Sequence, residues 1–119
     1  MLYDMHLYSE NYDALEDKET IREYRVYDGK RRLMKIGDTI RFIRLPDNDE
    51  CCYADILNIE VFEEWYDCYK EYFEEDFKDR YATIQAVVDD TYNGGYYTED
   101  ETKENGCCCI TLSKVRKNR

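Results

Sequence analysis

The chain has 119 residues, a formal net charge of −11 and an aromatic content of 15%, to which thirteen tyrosines contribute. This length suits one domain with one hydrophobic core, and disordered chains are poor in aromatic residues. The longest apolar runs hold only a few residues, far fewer than the ~20 that span a bilayer. No basic and then apolar segment follows Met1, so we expect a single cytoplasmic domain over residues 1–119 without membrane association.

The first half of the chain predicts a short helix followed by strands. The helix covers 9–17, where Ser9 suits the N-cap and Tyr12 and Leu15 form the apolar edge. Alternating side chains, together with the apolar run that closes the chain, predict strands at 20–28, 39–45, 51–61 and 107–115. Turns are expected at 28–30, 36–38 and Pro46.

The second half is predicted to be helical before the closing strand. Aromatic residues three and four positions apart predict an acidic amphipathic helix over 62–79, and a second apolar period covers 82–92. Thr98 and Glu101 form a capping box for a short helix that Gly106 ends. Strands around a helical insertion indicate an α+β fold with a small mixed or antiparallel β-barrel and flanking helices.

Charge is distributed unevenly along the chain. The stretch from Arg22 to Arg44 holds eight basic and three acidic residues, a net charge of +5, inside a protein that is otherwise strongly acidic. Salt screens the repulsion of distant charges beyond about 8–10 Å. A local basic surface can therefore still bind an anion, although the protein as a whole repels polyanions.

Six cysteines lie at positions 51, 52, 68, 107, 108 and 109, without a C-x-x-C pair. Neighbouring side chains of a strand point to opposite faces, so three consecutive cysteines cannot converge on one metal ion. Free cysteine is also among the most buried residue types. We therefore expect small core side chains, with a redox role and a metal site as weaker alternatives, and we expect no metal or cofactor.

Several motifs of the chain occur together in one known family. They are Met5-His6-Leu7, Glu23-x-Arg25-x-Tyr27-Asp28, Lys30-Arg31-Arg32, Ile36-Gly37-Asp38-x-Ile40-x-Phe42, Phe62-Glu63-Glu64 and Tyr96-Tyr97-Thr98-x-Asp100-Glu101 with Gly106 before a strand. In this combination the chain resembles the ASCH domain (activating signal cointegrator homology) over nearly its whole length. The resemblance implies a PUA-like β-barrel with flanking helices.

The resemblance also implies that RNA, or a nucleoside or nucleotide, binds in a cleft between barrel and helices. Glu23 and Arg25 share one strand face by their spacing and would take a base amino group and a phosphate. A basic turn would hold a phosphate backbone electrostatically. Tyr97 would stack on a base, as Tyr96 also could. The residues of the basic turn are Lys30, Arg31, Arg32 and Lys35.

Each of these residues has an ordinary structural interpretation as well. Glu23 and Arg25 would then be an exposed cross-strand pair worth a few tenths of a kcal/mol. The cations of the basic turn would be solvated, and Tyr97 would pack against the barrel.

Two further functions stay open. Some small bacterial members of the family hydrolyse N4-acetylcytidine with a Lys, a Thr and a Glu, and the candidates here are Lys18, Thr20 and Glu23. An ungapped alignment places the family's Lys on Thr20, and a shift of one or two residues in the preceding turn brings Lys18 and Thr20 near the catalytic positions. The other alternative is a protein-interaction module that presents the acidic helix from Glu60 to Asp79 to a basic partner.

Overall fold

The computed structural model describes residues 1–118 and has an α+β fold. Its strands are β1 (Leu2–Tyr8), β2 (Ile21–Val26), β3 (Thr39–Leu45), β4 (Cys51–Phe62) and β5 (Cys107–Leu112). Its α-helices are α1 (Ser9–Ala14), α2 (Gly29–Leu33), α3 (Trp65–Glu71), α4 (Phe73–Asp76), α5 (Ile84–Asn93) and α6 (Glu99–Asn105). None of these helices is long and apolar enough to cross a membrane.

The five strands form one mixed sheet in the order β1-β3-β4-β5-β2. β1 runs parallel to β3, with Leu2 opposite Thr39 and Tyr8 opposite Leu45. β3 runs antiparallel to β4, with Thr39 opposite Asp55. This arrangement confirms the expected α+β class and the mixed sheet.

The predicted strands are present, and one more strand accompanies them. The sequence analysis makes no strand prediction for residues 2–8, yet β1 forms there and pairs with β3. Its partner lies more than thirty residues away in the chain, so local alternation alone does not reveal the pairing. The turn before Thr39 forms as expected, with Gly37 at φ +95°, a backbone conformation that glycine adopts without steric cost.

Two helix predictions and one turn prediction need correction. Ser9 is the first residue of α1, and the N-cap is Tyr8. The acidic segment 62–79 holds two short helices, because Tyr72 leaves the helical conformation between them. The Tyr72 hydroxyl donates a hydrogen bond to the carboxylate of Glu60. The expected turn at 28–30 is the start of the short helix α2, which contains Lys30, Arg31 and Arg32 and ends before Lys35. The helical period over 82–92 is confirmed as α5, and the capping box of α6 is present.

The chain divides into two compact units. Within the described residues, the first unit comprises 1–23, 34–59 and 110–118. Two bidentate arginine–carboxylate pairs stabilise this unit. Arg41 donates two hydrogen bonds to Asp4, at 2.8 and 2.9 Å, and Arg116 donates two to Asp55, both at 2.9 Å. The apolar core of this unit is Met5, Leu7, Tyr12, Leu15, Ile21, Met34, Ile40, Phe42, Cys52, Ala54, Ile56, Ile110 and Leu112.

The second unit comprises residues 24–33 and 60–109. Its buried core consists of Val26, Trp65, Cys68, Tyr69, Phe77, Val87, Cys107 and Cys109. Trp65 satisfies its indole N–H by donating to the Thr102 hydroxyl at 2.9 Å, and Tyr69 shares a hydrogen bond of 2.6 Å with Thr91. The buried Trp65 indole and Tyr69 phenol of this core are therefore hydrogen-bonded, as a low-dielectric interior requires.

The cysteines confirm the core prediction. Five of the six are buried, and Cys51 is half-buried. Along β5, alternation places Cys107 and Cys109 in the core of the second unit and turns Cys108 to the other face, where it is buried as well. Burial raises the pKa of Cys108 to about 12 and also raises the pKa of Cys52.

Gly106 ends α6 with φ +73° and ψ −172°, a region that is essentially confined to glycine. A Cβ at this position would lie 2.9 Å from the carbonyl oxygen of Phe62. We expect Gly106→Ala to lower the free energy of unfolding by about 1–3 kcal/mol, measured from the urea midpoint. The matched control is Gly29→Ala, because a Cβ there meets nothing within 4 Å. It should leave stability unchanged or raise it by up to about 1 kcal/mol.

The cysteine arrangement predicts thiol reactivity. With a disulfide reagent at neutral pH, we expect about one thiol, that of Cys51, to react in the folded protein, because burial blocks access to the others. All six should titrate in urea. Cys51→Ser should remove the fast phase, and a second fast thiol in the folded variant would contradict the burial described here.

Candidate functional site

The second unit contains a cavity of about 320 Å³. Small-molecule sites usually enclose about 300–1,000 Å³, so this cavity has the size of a site for a small ligand. All of its lining residues belong to the second unit: Tyr24 and Arg25 from β2, Tyr69 from α3, Phe77, Arg80 and Tyr81 from the segment after α4, Val87, Asp90 and Thr91 from α5, and Tyr96 and Tyr97 from the loop before α6.

Three aromatic rings form the apolar wall of the cavity. The centroids of Tyr24 and Tyr69 lie 5.4 Å apart, and each lies 5.0 Å from that of Phe77. These separations fall in the range of favourable aromatic pairs. Because Tyr69 and Phe77 are core residues, the wall is held by the packing of the whole unit.

The phenol groups of this wall are hydrogen-bonded and uncharged. The Tyr24 hydroxyl donates to Asp76 at 2.5 Å. The Tyr69 hydroxyl is hydrogen-bonded to the Thr91 hydroxyl, which in turn donates to the carbonyl of Val87 at 2.9 Å. Burial is the main cause that raises the pKa of Tyr24 and of Tyr69. At neutral pH these groups act as hydrogen-bonding groups and apolar surface, and they do not act as bases or nucleophiles.

Three charged side chains line the cavity, two cationic and one anionic. Arg80 is exposed, and its guanidinium lies 5.8 Å from the Phe77 ring centroid and 5.7 Å from that of Tyr81. It also donates to the carbonyl of Asp76 at 2.9 Å. Arg25 is half-buried on β2. Asp90 accepts a 2.6 Å hydrogen bond from the Tyr81 hydroxyl, which raises the Tyr81 pKa.

Tyr96 and Tyr97 differ in their surroundings. Tyr97 is half-buried and stacks on Trp65, with ring centroids 5.6 Å apart and planes inclined by 22°. Tyr96 is 70% exposed. The glycine turn after α5 positions it, since a Cβ at Gly94 would lie only 2.9 Å from the Tyr96 ring. An exposed ring held at a cavity is suited to stack on a planar ligand.

The predicted binding residues fall into several places. Arg25 and Tyr97 line the cavity. Arg31, on α2, pairs with Asp28 at 3.4 Å, and Lys30 lies on the same helix. Arg32 lines a separate space of about 500 Å³, where its guanidinium lies 4.5 Å from the Tyr27 ring centroid.

The remaining predicted residues belong to the first unit, whereas the lining of the cavity belongs to the second. Lys18 and Thr20 are exposed, and Glu23 is half-buried on β2. The backbone N–H of Lys35 donates to the carboxylate of Asp38 at 2.9 Å. Whether any of these residues contacts a ligand or takes part in catalysis stays a prediction.

Sequence reasoning did not identify Tyr24, Arg80, Tyr81 and Asp90 as site residues, although all four line the cavity. They lie on a strand, in the segment after α4 and on α5, and no local motif joins them. The Asn93-Gly94-Gly95 turn directly before two tyrosines is a signal for Tyr96, and it does not point to these four residues.

The cavity lining has a limited chemical repertoire. Among the described residues that form it there is no histidine, cysteine or lysine. Within residues 1–118, no group of three or more His, Cys, Asp or Glu side chains is arranged to hold a metal ion. What the cavity offers is aromatic surface, two guanidinium groups, one carboxylate and hydroxyls, a set suited to binding a planar polar ligand.

Two solved structures resemble this chain. One is the hypothetical protein PH0355, a crystal structure with a TM-score of 0.75 and 24% identity, over 95% of this chain and 98% of that one. The other is the solution structure of protein PF0455 from Pyrococcus furiosus, with a TM-score of 0.72 and 22% identity, over 95% and 96% of the two chains. No family model and no curated protein matches the chain. The chain therefore shares its α+β fold with these two proteins.

Proposed function

We propose that the protein binds a nucleotide in the aromatic cavity of its second unit, either as a free mononucleotide or as one unit of single-stranded RNA. The observation that carries this proposal is the combination of an exposed aromatic ring, Tyr96, with two arginines, Arg25 and Arg80, around about 320 Å³. A nucleotide joins a planar ring to an anion, and this cavity has a complement for each part.

The energetics favour such a ligand. Stacking of a base on an aromatic side chain contributes about 1–3 kcal/mol. A guanidinium group binds phosphate through paired, charge-assisted hydrogen bonds. The net charge of −11 opposes broad attraction of nucleic acid, so the affinity depends on these local contacts and falls as salt rises.

A relation to the ASCH and PUA-like domains is part of this proposal, and it rests on the sequence motifs. The mixed five-stranded sheet and its helices agree with what the family resemblance implies, and so does the confirmed capping box at Thr98 after the two tyrosines. In this proposal the chain is a PUA-like domain of the ASCH type. Its cavity takes the role of the ligand cleft.

The two arginines provide the test of nucleotide binding. We expect Arg80→Gln to weaken binding of a mononucleotide, and of a short single-stranded RNA, by roughly tenfold, the loss of about 1.4 kcal/mol that one charged hydrogen bond supplies. Arg25→Gln should act in the same direction. Calorimetric titration at two salt concentrations measures both effects and shows whether the free nucleotide or the RNA binds more tightly.

The matched control is Lys78→Gln. It removes the same charge two residues away, and Lys78 pairs with Glu74 at 2.8 Å on the surface. Equal weakening by Lys78→Gln and Arg80→Gln would show that general charge, and not the cavity, governs binding. The panel includes N4-acetylcytidine, and release of cytidine from it would favour the hydrolase alternative.

A further inference from the structure

We infer that the cavity selects guanine among the bases, and that Asp90 is the residue that determines this selection. The inference rests on the proposed nucleotide function and goes beyond it, because it names the base and the side chain that distinguishes it. It follows from the single carboxylate in the cavity and from the charges around it.

Asp90 is the one carboxylate among the described residues that line the cavity. It is exposed on the last turn of α5. The Tyr81 hydroxyl donates to its Oδ2 at 2.6 Å. A carboxylate offers about four acceptor positions on its two oxygens. Tyr81 thus holds the group in place while most of its acceptor capacity is left for a ligand.

A carboxylate in this position selects for hydrogen-bond donors. Guanine presents two adjacent donors, N1–H and the 2-amino group, which match the two oxygens of a carboxylate. Adenine has an acceptor at N1. A carboxylate oxygen facing N1 leaves both acceptors without a hydrogen bond, which is costly once water is displaced. Uracil and cytosine offer one donor position each and a smaller surface for stacking.

The arginines match the other edge of the same base. Guanine carries two acceptors, O6 and N7, and arginine binds this pair in a bidentate manner. Arg25 and Arg80 line the same cavity as Asp90. Asp90 and one of the two arginines therefore complement the donor edge and the acceptor edge of guanine, and the other arginine is placed to bind a phosphate.

The test is a titration with GMP, IMP, AMP, CMP, UMP and XMP against the wild-type protein and Asp90→Asn. An asparagine can still accept from Tyr81 through its oxygen, but it presents an N–H₂ group to the ligand. We expect the wild type to bind GMP about 5- to 150-fold more tightly than AMP or IMP, the range for one well-formed pair. Asp90→Asn should weaken GMP binding by a similar factor and strengthen XMP binding, because XMP carries an oxygen in place of the 2-amino group.

The matched control is Asp89→Asn. Asp89 lies on the same helix, accepts from the Gln85 side chain at 2.9 Å and does not line the cavity. The Asp89→Asn variant removes the same charge and should leave the order of affinities for the six nucleotides unchanged. Melting curves of both variants verify that each is folded.

The outcomes separate the two proposals. A wild-type preference for GMP that Asp90→Asn shifts toward XMP, and that Asp89→Asn keeps, supports the inference. Similar affinity for all six nucleotides would leave nucleotide binding standing and overturn the selection of guanine. A GMP preference that persists in Asp90→Asn would overturn the role of Asp90. If neither a mononucleotide nor a short single-stranded RNA binds the wild type, both proposals fall.

Discussion

The burial of β5 on both of its faces is the constraint on which much of this structure depends. β5 lies between β4 and β2 in the sheet, and Cys107, Cys108 and Cys109 are all fully buried. A strand covered on both faces has no polar side, and small thiols fill that space without needing hydrogen-bond partners. This explains the three consecutive cysteines: Cys107 and Cys109 lie against the aromatic core that forms the wall of the cavity.

Ion pairing accounts for much of the basic stretch in an acidic chain. Arg41 pairs with Asp4, Arg44 with Asp13 and Arg31 with Asp28. Outside this stretch, Lys117 also pairs with an acidic residue, Glu16, at 3.0 Å. These three arginines pair within the units that carry them, so part of the basic charge of residues 22–44 is neutralised locally. Whether the other cations of this stretch bind an anion stays a prediction. Arg80, from outside that stretch, joins Arg25 at the cavity.

The cavity combines rigidity with access. Its wall is packed in the core, and its phenols are hydrogen-bonded and neutral, whereas Tyr96, Arg80 and Asp90 are exposed. A ligand would therefore meet a preformed apolar surface below and polar groups at the rim. Such an arrangement limits the ordering cost of binding to a few side chains. In this arrangement the charged groups at the rim determine which ligand is preferred.

The sequence by itself determined the elements whose signals are local. The capping box of Thr98 and Glu101, the end of α6 at Gly106 and the alternation of β3 follow from neighbouring residues, because backbone preference and side-chain period act over a few positions. It also identified Arg25 and Tyr97, which line the cavity. Only the tertiary structure decided the pairing of β1 with β3, the break at Tyr72 and the assembly of Tyr24, Arg80 and Asp90 around one space. Those features depend on contacts between distant segments, which are set by packing and hydrogen bonding of the folded unit and leave no periodic trace in the chain.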